Sequence, residues 1–145
     1  MIRAYDEMYL EGAMIRMGDM LEYACLDCGY ESDTFWKMFI QSGLARRFGR
    51  GDVSVVAGKS GPELVYMVLE NNGCSECCPQ PLWREERSDL YWSGWVLAYF
   101  QWYTAKPFAV LWESISIRML QRMYPTLHEA DISKAVDIML EMVRD

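Results

Sequence analysis

This sequence has little histidine, no excess of positive charge and no uncharged run long enough to cross a bilayer. His128 is the only histidine, so any mechanism that needs a histidine base must use it. The net charge of −7 argues against a surface that follows a nucleic-acid backbone. The longest uncharged run, from Leu90 to Ala105, is shorter than the roughly 20 residues of a membrane-spanning helix. We therefore expect neither a nucleic-acid-binding protein nor a membrane protein.

The composition is that of a globular protein with a real core. The chain has 145 residues, 52% of them hydrophobic and 24% charged, which suits one domain over residues 1–145 that needs no metal to fold. The first residues lack a charged segment followed by an apolar stretch, so no signal peptide is expected. An odd number of cysteines, five, is typical of a reducing compartment, and we expect a cytoplasmic protein.

Apolar residues at helical spacing predict two helices in the first third of the chain. The first would run from about Arg3 to Cys28. The second would begin after Ser32 as N-cap, with Asp33 in its first turn, and continue to Phe48, where glycines follow. These two segments predict an all-α fold rather than a sheet protein.

The next segment contains the one candidate for a strand. Residues 53–58 are rich in β-branched side chains, but no partner strand is visible, so we expect a loop. Ser60 and Glu63 then form a capping box with Pro62 near its start, which predicts a helix that stops at Asn71 and the glycine beyond it.

An aromatic-rich helix is predicted after Ser88, the N-cap. Its apolar side chains cover nearly the whole circumference, which places it at the centre of a bundle. Lysine and arginine do not flank the rings, so core packing explains them better than stacking on nucleic-acid bases. The aromatic residues that cover a wide face of this helix are Tyr91, Trp92, Trp95, Tyr99, Trp102 and Tyr103.

The last 40 residues predict three further helices. Two short ones would lie around residues 108–112 and 117–123, the second ended by Tyr124 and Pro125. Thr126 to Glu129 is read as a capping box for a final helix that reaches the C-terminus, with His128 in its first turn. The whole chain is thus expected to form a compact bundle of five to seven helices around the aromatic helix.

Four of the five cysteines form two Cys-x-x-Cys pairs, Cys25/Cys28 and Cys74/Cys77, with Cys78 beside the second. Four thiolates in two such pairs can close a tetrahedral zinc site, in which each sulfur lies about 2.3 Å from the ion. Cys25 and Cys28, however, fit the last turn of a helix that faces the core, and the gap between the pairs is long for a zinc ribbon. Zinc, buried thiols and a disulfide all remain open.

Residues 72–88 form the longest irregular stretch and the place where function is most often found. They contain cysteines, prolines and the charged run from Arg84 to Arg87. Charge is also uneven elsewhere, because residues 1–31 are acidic and the following stretch is basic through Lys37, Arg46, Arg47, Arg50 and Lys59. The two blocks are expected to pair with each other.

A thiol enzyme would need a nucleophile and a base. A loop cysteine or Cys28 with His128, oriented by Asp131, would supply both. Nothing in the sequence brings a cysteine to His128, and its place in a capping box gives it a structural role. No catalytic residue is therefore assigned.

Three segments, residues 27–30, 92–103 and 123–131, resemble a group of short bacterial proteins to which no activity is assigned. The resemblance covers nearly the whole chain and implies a bacterial, cytoplasmic accessory protein of the kind encoded among toxin–antitoxin-like or mobile-element genes. It implies no catalytic residue. With the acidic charge, it leads us to expect an antitoxin-like or inhibitory module that binds a basic protein partner. A zinc-stabilised adapter and a small thiol enzyme are the alternatives.

Overall fold

The computed structural model describes residues 2–74 and 78–144. Within these ranges the chain forms nine α-helices and no strand, which confirms the all-α prediction. The predicted number of five to seven helices is too low. The second predicted helix is two helices, and the expected loop at residues 53–58 contains a further helix. The helices are α1 (Leu10–Glu22), α2 (Ser32–Gln41), α3 (Leu44–Gly49), α4 (Val53–Val56), α5 (Gly61–Asn71), α6 (Asp89–Thr104), α7 (Phe108–Leu111), α8 (Ile117–Leu127) and α9 (Ile132–Met142).

The most extensive contact in the fold joins α1 to α6, and two glycines set how closely the helices approach. A Cβ atom on Gly94 would lie 2.6 Å from the carbonyl oxygen of Met17, and one on Gly18 would lie 2.8 Å from the carbonyl oxygen of Tyr91. These atoms belong to the backbone and cannot move aside. The two helices therefore meet backbone to backbone at this crossing.

The aromatic helix α6 is central, since it packs against α1, α8 and α9. Trp92, Phe100 and Trp102 are buried on it. One stripe at four-residue spacing is only half-buried, so the helix is covered on most of its surface rather than all of it. This stripe is Tyr91, Trp95, Tyr99 and Tyr103.

No helix in residues 2–74 and 78–144 has the length and apolar character needed to cross a membrane.

The first helix is shorter than predicted. It is preceded by a 3-10 turn (Glu7–Tyr9), which the side chain of Asp6 caps by accepting from the Met8 amide. Residues before that turn bond to the end of α6 instead, with the Ala4 amide donating to Trp102 O at 3.0 Å. At its other end α1 widens into a π-helical turn (Tyr23–Asp27).

The second predicted helix is two helices, because Gly43 has φ 86° and this left-handed conformation separates α2 from α3. The N-cap of α2 is Glu31, not Ser32: its carboxylate accepts from the amides of Asp33 and Thr34. The expected loop at residues 53–58 contains α4 instead, because the side chain of Asp52 accepts from the Ser54 amide and starts a turn.

The region around His128 also differs from its prediction. Pro125 lies inside α8, which continues to the buried Leu127 and has His128 as its C-cap. The predicted capping box at residues 126–129 is therefore wrong. Asp131 caps α9 instead by accepting from the Ser133 amide. The capping box of Ser60 and Glu63 and the Ser88 N-cap are both confirmed.

Replacing Gly94 with alanine should destabilise the protein, because the new Cβ would press on the backbone of Met17. Overpacking of this kind costs about 1–3 kcal/mol, which outweighs the roughly 1 kcal/mol that alanine gains over glycine in a helix. We expect a net loss of up to about 2 kcal/mol in the free energy of unfolding measured with urea. The control is Gly12→Ala in α1, where the Cβ meets only the movable end of Arg16. That variant should be as stable as the wild type or slightly more stable, and equal losses in both would contradict the close crossing.

Candidate functional site

Residues 78–88, here called the strap, cross the C-terminal half of α1 and enclose a cavity of about 410 Å³. The strap carries the most exposed large side chains of the region, with Trp83 85% and Leu82 68% exposed. The cavity wall opposite the strap comes from α1, the π-helical turn and Pro62 at the start of α5. The strap thus presents two apolar side chains outward while its base is fixed to the helix core.

Asp27 is the main attachment point of the strap. Its carboxylate is 2% exposed, accepts a hydrogen bond from the Leu82 amide at 3.1 Å and forms an ion pair with Arg84. The hydrogen bond to Asp27 raises the pKa of the Arg84 guanidinium. Because a buried carboxylate is costly unless it is paired, these contacts hold the backbone on both sides of Trp83.

Glu22 and Asp19 fix the other end of the strap. The buried carboxylate of Glu22 accepts from the amide of Ser88 at 3.1 Å and from its hydroxyl at 2.7 Å. Ser88 in turn accepts from the Tyr91 amide as the N-cap of α6. Arg87 donates to Asp19 at 3.1 Å, yet burial dominates and raises the pKa of Asp19. Glu22 of α1 is therefore bound to Ser88, the residue that caps the start of α6.

A cluster of hydroxyl and thiol groups lies where the strap begins. The Tyr23 hydroxyl donates to the carbonyl oxygen of Pro79 and lies 3.4 Å from the Tyr66 hydroxyl. The Cys28 thiol hydrogen-bonds to Tyr23 and to Cys78. Burial is the largest cause that raises the pKa of Tyr23, and it raises the pKa of Cys28 to about 11. Both groups are protonated at neutral pH, so they act here as hydrogen-bond partners rather than as nucleophiles.

Three of the four carboxylates that line the strap cavity have hydrogen-bond donors. Asp19, Glu22 and Asp27 each accept from an amide, a hydroxyl or a guanidinium group. Because each of these three carboxylates already has its hydrogen-bond donors, they do not make a paired general acid and base. The geometry therefore suits a fixed binding surface rather than a reaction centre.

The four candidate zinc ligands are only partly described. Cys25, Cys28 and Cys74 are all partly buried, whereas Cys77 lies outside the described residues. Burial raises the pKa of Cys25 to about 12. In the part of the chain that the structure describes, no three His, Cys, Asp or Glu side chains are placed to hold a metal ion. Cys28 interacts with Cys78, the cysteine that the zinc prediction left out.

His128 lies at the end of α8 and not in the first turn of the final helix, where it was predicted. Its Nδ1 lies 2.8 Å from the Tyr124 carbonyl oxygen, and its ring stacks on Tyr124 with 4.2 Å between the centroids. Its Nε2 lies 3.5 Å from the Glu129 carboxylate. Asp131 is occupied as the cap of α9. These contacts give His128 a structural role, and none of them involves a cysteine of the described residues.

Among the described residues, no ion pair joins the two charge blocks of the sequence. The acidic block binds arginines from the second half of the chain: Arg84 with Asp27, Arg87 with Asp19, and Arg118 with Glu31. In the basic block, Arg47 pairs locally with Asp52. The expected pairing was wrong because the strap and α8, which are distant in sequence, lie closer to the acidic residues.

Sequence reasoning located the irregular segment but missed the residues that organise it. Asp27 was read as one member of an acidic block, and Trp83 was not singled out at all. A tryptophan in a run of polar residues and prolines was the available signal. No protein-family model matches the chain, and neither the curated proteins nor the solved structures contain a significant match. The resemblance to short bacterial proteins therefore stays a prediction.

Replacing Asp27 with asparagine should loosen the strap, because the Arg84 guanidinium would lose its carboxylate in a partly buried position. The expected cost is about 1–3 kcal/mol, with faster amide hydrogen exchange of Leu82 and its neighbours. The control is Glu141→Gln, which breaks an ion pair with Arg144 in which both side chains are more than two-thirds exposed. It should change neither stability nor exchange. Unchanged exchange in Asp27→Asn would contradict the attachment described here.

The folded protein should lose stability as the pH rises above about 8.5. Unfolded thiols ionise near that value, whereas the folded pKa is raised to about 11 for Cys28 and to about 12 for Cys25. The unfolded state therefore releases protons first, and the stabilisation that is complete below pH 8.5 declines until the folded thiols ionise. Thermal melts by circular dichroism between pH 7 and 9.5 should show this loss of stability. The melting temperature of the Cys25→Ala/Cys28→Ala variant should fall with a shallower slope against pH. An equal slope in that variant would assign the effect to other groups.

Proposed function

We propose that this chain is a protein-binding module whose strap presents Trp83 and Leu82 to a partner with a basic surface. The observation that carries the proposal is a tryptophan that is 85% exposed on a segment fixed at both ends by buried carboxylates. An exposed apolar pair on an ordered segment commonly marks an interaction site. An antitoxin-like or inhibitory role, as the resemblance implies, is the form of this function that we favour.

The strap is ordered before any partner arrives. Leu82 donates its amide to Asp27, and Arg84 is paired with the same carboxylate, so both neighbours of Trp83 in the chain are held. Binding then costs less conformational entropy than it would for a mobile loop. Tryptophan is also among the residues that most often dominate the binding energy of an interface.

Charge near the strap favours a basic partner. Four carboxylates line the cavity against two guanidinium groups, and the exposed Glu86 adds another negative charge to the strap. Both arginines are already engaged by Asp19, Glu22 and Asp27. Complementary charge of this kind speeds association and sets specificity more than it sets final affinity.

A thiol enzyme is supported less well. Burial raises the pKa of Cys25 and of Cys28 far above neutral pH, and reactive thiols need the opposite environment. The described residues contain no group of three possible metal ligands that would favour a zinc-stabilised adapter. Metal analysis of the purified protein tests that alternative directly.

The proposed function is tested by capture and titration of a partner. The tagged chain is co-expressed with the products of the genes adjacent to its own, and a captured protein is titrated by calorimetry. Trp83→Ala should weaken binding by about 30-fold, as expected for a central anchor. The Glu85→Gln/Glu86→Gln variant should mainly slow association and reduce its salt dependence.

Glu141→Gln is the matched control, because it removes one exposed carboxylate far in sequence from the strap. It should bind like the wild type. The proposal fails if the captured protein binds the Trp83 variant with unchanged affinity, or if no adjacent gene product binds at low or physiological salt.

A further inference from the structure

A groove runs along α3 on a part of the surface that the strap does not reach. Two adjoining cavities of about 350 and 810 Å³ form it, and they share Ala45, Arg46, Arg50 and Pro107. The smaller cavity opens between α3, the N-terminal segment and the end of α6, and the larger one continues between α3 and α7. We call the two together the arginine groove.

The arginine groove is positively charged in a chain whose net charge is −7. No aspartate or glutamate is among the described residues that line it. Arg47 is bound to Asp52, but Arg46 and Arg50 form no ion pair with any residue in the described ranges 2–74 and 78–144, and both are exposed. Two guanidinium groups that line the same groove without a carboxylate favour an anionic ligand, above all a carboxylate, which arginine can bind in bidentate fashion.

A second observation comes from Gln101 of α6, which is part of the wall of the smaller cavity. This side chain is 2% exposed, and its Nε2 donates to Gly49 O at 2.9 Å and to Lys106 O at 3.2 Å. Both amide protons are used, which fixes the orientation of the group. Its Oε1 accepts no hydrogen bond from the described residues. A buried acceptor without a donor is unusual in a native protein, and a ligand N–H would satisfy it.

Part of the remaining wall of the groove is apolar, although Arg3, Gln41 and Arg47 also line it. Pro107, Phe108 and Val110 form one side, and Val110 is 45% exposed. An aliphatic side chain placed there would be covered without losing a hydrogen-bond partner. The ligand that fits therefore combines a carboxylate, a nearby N–H and an apolar group.

We propose that the arginine groove binds the carboxyl terminus of a peptide that ends in an apolar residue. The terminal carboxylate lies on Arg46 and Arg50, the N–H of the last residue donates to Gln101 Oε1, and its side chain contacts Pro107 and Val110. A peptide end supplies these three groups on a single residue. The larger cavity, about 810 Å³, has room for the residues that precede it.

Fluorescence polarisation with labelled pentapeptides tests this site. The peptides differ only in the last residue, which is alanine, valine, leucine, methionine or phenylalanine, and each is made with a free carboxylate and as an amide. At least one free acid should bind, and its amide should bind at least ten-fold more weakly. Arg46→Ala and Arg50→Ala should each cause a similar loss, whereas Arg144→Ala, which removes the same charge outside the groove, should not.

The role of Gln101 is tested without changing the protein, since a variant of this buried residue can fail to fold. Methylation of the last peptide nitrogen removes the proposed donor and should weaken binding at least five-fold. Trp83→Ala should leave peptide binding unchanged, which separates this site from the strap.

Three results would overturn the proposal. One is that no free-acid peptide binds at up to millimolar concentration in low salt. Another is that inorganic phosphate competes as well as the peptide, which would indicate a general anion site. The third is that an N-acetylated single amino acid binds as tightly as the pentapeptide, which would indicate a small-molecule ligand.

Discussion

The close crossing of α1 and α6 is the constraint on which the rest of the structure depends. Gly18 and Gly94 allow the two backbones to touch, so neither helix can rotate or slide without opening the contact. The register that this sets brings Glu22 of α1 beside Ser88 at the start of α6. The same contact that centres the aromatic helix therefore also decides where the strap must run.

Buried charge then determines which face of α1 the strap covers. The side chains of Glu22 and Asp27 are largely buried, and each needs donors to offset the loss of hydration. Arg84, Ser88 and the Leu82 amide supply those donors. The strap has no helix or strand of its own, so these contacts, rather than backbone hydrogen bonds within it, explain why it lies in one place.

The fold was predictable from the sequence where local chemistry decides structure. The capping residues Ser60 and Ser88 each act within one helical turn, and the helices they start are present. Prediction failed where distant contacts compete with local signals. Thr126 to Glu129 has a capping pattern, but burial of Leu127 extends α8 past it. Asp27 and its partner Arg84 of the strap are far apart in sequence, and the tertiary fold brings them together.

The same separation of local and distant effects explains why an acidic chain keeps a basic groove. If the acidic block at residues 1–31 had met the basic block that follows it, Arg46 and Arg50 would have been neutralised. The acidic residues are instead satisfied by Arg84, Arg87 and Arg118. Because those arginines come from the second half of the chain, positive charge remains exposed on α3, and the strap and the arginine groove become surfaces of opposite character. Two surfaces with opposite charge can recognise two ligands of different chemistry without competing for them.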